Sequence, residues 1–81
     1  MPGTRRIEDP KTGIRVNITR PGQRLIGFGN VNEFVKLLMK VMEALGAQGA
    51  YVGKQGSAVA ITLYREDGWQ GRMKVPVTRR R

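Results

Sequence analysis

Between Asn30 and Gly46 the apolar residues Val31, Phe34, Val35, Leu38, Val41, Met42 and Leu45 recur at the i, i+3, i+4, i+7 spacing of one helical face. Asn32, Glu33, Lys36, Lys40 and Glu43 fill the opposite side. In a chain of 81 residues this stripe constrains the fold most, because whatever else forms must supply the surface that buries it. Asn30 with Glu33 three residues on has the spacing of a capping box, and Gly46 suits the left-handed position that ends a helix. A helix over 31–45 is predicted. Leu37, Met39 and Ala44 fall outside the tightest stripe, so a second contact, a copy of the same chain, is expected to cover them.

The remaining periodic segments alternate in steps of two. Ile14, Val16 and Ile18 oppose Arg15, Asn17 and Thr19, which predicts a half-buried strand ended by the turn Arg20-Pro21-Gly22-Gln23. A second, shorter strand over Arg24 to Phe28 would complete a first hairpin. Ala50 to Val52 and Ser57 to Tyr64 read as strands flanking Gly53-Lys54-Gln55-Gly56, with Val59, Ile61 and Leu63 on one side of the longer one. The Asp67-Gly68 pair marks a hairpin turn before Met73, Val75 and Val77, and Pro76, lacking an N–H, places that last strand at a sheet edge. The expected class is therefore α+β. Its elements run β-β-α-β-β, with one extra short strand allowed, forming a small, mainly antiparallel sheet with the single helix on one face. Residues 1–13 read as a basic flexible arm, 14–78 as one α+β domain, and 79–81 as a basic tail.

Val52 to Ser57, with its Gly53-Lys54-Gln55-Gly56 core, resembles the backbone-clamping G-x-x-G loop of K-homology RNA-binding domains. In that family the loop joins two helices, whereas here Ala58 to Tyr64 alternate like a strand, so a hairpin turn is the reading and Lys54 is kept as a phosphate contact. Gly27-Phe28-Gly29 has only half of a dinucleotide fingerprint and no distal acid in a βαβ unit, so no cofactor is expected.

Composition then narrows the function. There is no cysteine and no histidine, which removes thiolate chemistry, the commonest general base and the usual zinc ligands. The six carboxylates, Glu8, Asp9, Glu33, Glu43, Glu66 and Asp67, form no evident cluster for a metal-dependent nuclease. No catalytic residue, metal site or enzymatic activity is expected. No apolar stretch is long enough to span a membrane and none follows Arg5 and Arg6 as a signal would, so a cytoplasmic protein, nucleoid- or ribosome-associated, is expected. Fifteen Lys and Arg against six Asp and Glu leave a formal charge of +9. So one-sided an excess favours a polyanionic partner.

If all three apolar strand sets meet the helix, Arg15, Asn17, Thr19, Thr62, Tyr64, Arg72 and Lys74 share the opposite face. Cations there neutralise phosphates, hydroxyls bond to them, and a ring can stack on a base. Arg5, Arg6, Lys11, Arg79, Arg80 and Arg81 lie in segments too polar to pack, free to follow a phosphate backbone. Arg outnumbers Lys, and its planar fork suits bidentate phosphate contact. The expected nucleic-acid contacts are thus these residues together with Arg20, Arg24, Lys54, Arg65 and Trp69. The expected function is nucleic-acid binding, to DNA or RNA, as a homodimer. The alternative is a ribosome-associated or virion assembly module that meets a protein partner around Leu37, Met39 and Trp69.

Overall fold

A computed structural model describes residues 3–77. The elements run β1 (Arg5–Glu8), β2 (Arg15–Ile18), α1 (Arg20–Ile26), one 3-10 turn (Phe28–Asn30), α2 (Val31–Leu45), β3 (Gly49–Gln55), β4 (Ala58–Tyr64) and β5 (Gln70–Pro76). The strands form one sheet in the order β1-β2-β3-β4-β5, with every neighbouring pair antiparallel except β2 and β3, which run parallel. A parallel pair needs a crossover. Here α1 and α2 supply it and cover one face of the sheet, which makes the class α+β. No helix among the described residues is long and apolar enough to cross a membrane.

The hairpin partner of β2 comes from an unexpected place. Residues 24–28, predicted as a strand, are the end of α1 and the start of the 3-10 turn. Their short apolar run loses to capping chemistry. Thr19, in extended conformation, accepts the Gly22 N–H on Oγ1 at 3.2 Å, and Pro21 in the first turn has its backbone preset for a helix. The Gln23 side chain, buried, then locks α1 to the strand beside it by donating Nε2 to the Ile18 carbonyl at 3.1 Å and to the Gly3 carbonyl at 2.8 Å.

Part of the expected arm folds instead. Arg5–Glu8 pairs antiparallel with β2, Ile7 opposite Val16, and so satisfies backbone groups that β2 would otherwise leave bare. The hairpin closes on Asp9, whose N–H donates to Ile14 O at 2.9 Å, whose carbonyl accepts Gly13 N–H at 2.8 Å, and whose Oδ1 accepts Lys11 N–H at 2.9 Å. Arg79, Arg80 and Arg81, expected in the tail, lie outside the described residues.

Helix α2 spans 31–45 as its periodicity requires, and Gly46 ends it at φ 74° with its N–H on Glu43 O. The capping box does not form. Asn30 holds a near-helical backbone, continuous with the preceding 3-10 turn, and its Nδ2 turns back to the Ile26 carbonyl at 3.4 Å. Val31, Val35, Leu38 and Met42 are buried against Ile14, Val16 and Ile18 near β2, Ala50 and Val52 of β3, and Val59, Ile61 and Leu63 of β4. The helical layer stops there. In β5, Met73 and Val75 pair with Ile61 and Val59 yet stay 36% and 40% exposed, so of the third apolar set only Val77, just past the strand, packs against the core as predicted.

Gly53-Lys54-Gln55-Gly56 is not a loop between helices. Gly53 to Gln55 belong to β3, and only Gly56 and Ser57 turn, with Gly56 at φ 63° followed by an ordinary residue, the glycine-first pattern of a type II′ hairpin.

Candidate nucleic-acid interface

Strand parity and register together decide which side chains share the face away from the helices. One row crosses all five strands as Arg6, Asn17, Tyr51, Thr62 and Arg72. The row beside it reads Glu8, Arg15, Gly49, Tyr64 and Gln70, and a third places Gly53, Ala60 and Lys74 together. With strands spaced about 4.8 Å apart, four steps separate Arg6 from Arg72 by about 19 Å. The face therefore has cations at both margins, Arg6 and Arg15 on one side and Arg72 and Lys74 on the other. Two tyrosines and a floor of small residues lie between.

Glu8, opposite Arg15, is the one carboxylate in these rows, against four cations. Among the described residues the one ion pair joins Arg65 to Asp67 at 3.4 Å, so Arg6, Arg15, Arg72 and Lys74 have no carboxylate partner. Arg6 is held by an Nε hydrogen bond to Asn17 Oδ1 at 3.3 Å, which aims it along the face. A shallow groove of about 480 Å³ is lined by Gln55, Ala60, Thr62, Arg72 and Lys74, and a smaller one of about 240 Å³ by Arg15, Gly49 and Tyr64, with Glu66 at its rim.

The tyrosines are coupled. Their ring centroids are 5.6 Å apart at an interplanar angle of 33°, a favourable aromatic contact. Tyr64 leans from β4 across β3, where a Cβ on Gly49 would come within 2.5 Å of its ring, so the missing side chain at Gly49 is the space the ring occupies. Burial raises the Tyr64 phenol above its ordinary value of 10.0; the Tyr51 phenol adds to the rise, and nearby Arg15 and Arg6 oppose it. The hydroxyl is thus protonated at neutral pH.

Gly49→Ala isolates this geometry. The added methyl displaces the Tyr64 ring while alanine suits a strand better than glycine. Ring-to-ring nuclear Overhauser contacts between Tyr51 and Tyr64 are expected to vanish while the thermal midpoint moves by only a few degrees, roughly a 1 kcal/mol change or less. Retention of those contacts would mean that the ring does not need Gly49's space.

The predicted contact residues divide into two groups. Arg6, Arg15, Tyr64, Arg72 and Lys74 come together on the open face, joined by Asn17 and Thr62. Thr19, expected there, is committed to capping α1. Arg5 points to the helical side, donating to Asn32 Oδ1 at 3.1 Å. Lys11 sits in the β1–β2 turn, Arg20 and Arg24 ride on α1, and Lys54 joins Pro21, Arg24 and Leu25 around a separate hollow.

Arg65 and Trp69 also lie on the helical side. The guanidinium stacks 4.8 Å from the Trp69 ring and donates Nη1 to the Leu45 carbonyl at the end of α2, while the indole roofs Gly71. This pair clasps the sheet to the helix C-terminus.

Tyr51 is the functional candidate missed by sequence reasoning. Its signal was the alternation Ala50, Tyr51, Val52, which turns the ring away from the core, but its place beside Tyr64 follows only from the β3–β4 register. Comparison with known protein families, curated proteins and solved structures finds no match.

Proposed function

We propose that the chain binds nucleic acid through the open face of its sheet, without catalysis, using Arg6, Arg15, Arg72 and Lys74 on phosphates, with the terminal arginines adding charge. The observation that carries this reading is the segregation of charge. Four cations lacking acidic partners flank two tyrosines on one flat face, whereas the outer side of α2 balances Glu33 and Glu43 against Lys36 and Lys40. Such a face concentrates polyanions and releases their counterions on contact. The carboxylates support a binding role over catalysis, being spread over β1, two turns and α2. A cytoplasmic setting, on nucleoid or ribosome, is the proposed location.

The test is a fluorescence-anisotropy titration of the whole chain with labelled single- and double-stranded DNA and RNA. Micromolar or tighter binding that weakens with salt supports the reading. Absence of binding to all four at moderate salt removes it and favours the assembly-module alternative.

The same charge segregation favours a homodimer formed through the helical side. Leu37, Val41 and Leu45 make an exposed stripe along α2, Leu37 being 59% exposed, and pairing there keeps both basic faces outward. Leu37→Glu is expected to convert a sedimenting dimer to a monomer without unfolding it. A wild-type chain that sediments as a monomer at tens of micromolar would leave the stripe to a different protein, the contact surface of an assembly module.

A further inference from the structure

We infer that the nucleic acid taken by the sheet face is single-stranded and that two of its unpaired bases stack on Tyr51 and Tyr64, an inference that rests on the nucleic-acid reading above. Tyr51 stands on β3, the middle strand of five, and is 59% exposed. A cross-strand aromatic pair can serve sheet stability alone, but that role rewards covering the rings, and among the described residues Tyr51 stays more than half exposed. Tyr64 reaches over Gly49, whose missing side chain leaves the ring its space, and it is only partly buried, so some of its ring surface also meets solvent. A ring displayed in this way offers a base the surface that an adjacent base offers in a stack.

The surroundings fit the same occupant. Gly53, Ala60 and Ala58 leave the floor beside the rings low, so a flexible strand can cross without lifting its bases off them. Cations at the two margins stand where the phosphates of a strand crossing the β-strands would pass. Thr62 and Asn17, in register with Tyr51, supply hydroxyl and amide groups at the edges of a stacked base. Nothing in this arrangement depends on base identity, so sequence tolerance is expected, as in other stacking platforms.

A duplex fits poorly. Its bases are stacked on one another and show only their edges, and the face, about 19 Å from outer strand to outer strand, is wider than a major groove of about 12 Å. The shared chemistry of an unpaired base on a charged backbone occurs in both RNA and DNA, so the experiment carries an arm for each.

The experiment compares the whole wild-type chain with Tyr51→Ala, Tyr51→Phe and Arg15→Ala by anisotropy, using mixed-sequence 12-nucleotide single strands of RNA and of DNA and a hairpin duplex of equal phosphate number. Tighter binding to single strands than to the duplex is expected. Tyr51→Ala should lose the worth of one stack, about 5- to 150-fold in affinity for single strands, with duplex binding unchanged. Tyr51→Phe should retain wild-type affinity, and Arg15→Ala should weaken every form. Wild-type protein with a single strand carrying abasic sites should show a comparable loss, a measurement that requires no variant to fold. If Tyr51→Ala binds single strands like the wild type, or the duplex binds as tightly, stacking is overturned while the phosphate reading stands. If no form binds, the phosphate reading itself falls and takes stacking with it.

Discussion

Raising salt from 50 to 200 mM is expected to weaken single-strand binding by about 50-fold, from four face cations at a slope of about −0.7 each in log affinity against log salt. Arg15→Ala combined with Arg72→Ala should make the slope shallower by about 1.4 and reduce the face's share of the loss to about 7-fold. Lys36→Ala combined with Lys40→Ala removes the same charge from the outer side of α2 and should leave the slope unchanged. Charge in the terminal segments steepens all three slopes equally, so their differences report the sheet face. A salt series by anisotropy measures them. Equal flattening by both double variants would mean that net charge, and not this face, holds the polyanion.

Met42→Ala is expected to cost about 2–5 kcal/mol, read as a fall in the urea midpoint at constant slope. Met42 is 0% exposed and sits where α2 meets the sheet, so its loss leaves a cavity that α1, β3 and β4 cannot all close upon. For a domain of this length the whole stability is about 4–12 kcal/mol, and at the lower end of that range the variant is expected to be partly unfolded even without denaturant. Val41→Ala, one residue away on the exposed flank, should change stability by no more than about 0.5 kcal/mol in the monomer. Equal costs at 41 and 42 would mean that α2 is rotated from the orientation described here.

Features readable without the structure were those whose cause is local. Helix α2 repeats its apolar residues over four turns, Gly46 supplies a backbone conformation that costs other residues energy, and Asp67-Gly68 makes a hairpin turn from adjacent residues. Parity alone put Arg15, Asn17, Thr62, Tyr64, Arg72 and Lys74 on one face. Helix α1 escaped because seven residues hold too few periods to outweigh the short apolar run of 24–28, and its cause is a cap formed by Thr19 with Pro21 behind it.

What the amino-acid order determined by itself was the α+β class, the position of α2, the direction β2, β4 and β5 turn their side chains and the excess of positive charge. Periodicity, turn conformation and charge are properties of neighbours along the chain, and they survive translation into any arrangement of the elements. Tertiary structure alone decided that Arg5–Glu8 closes the edge of β2, that the helical layer ends at β4 and bares Met73 and Val75, that Arg65 and Trp69 clasp α2, and that Tyr51 lies against Tyr64. Each depends on which strands become neighbours and in what register. That choice is made by the sum of core packing and backbone pairing across residues far apart in the chain, and no short segment encodes it.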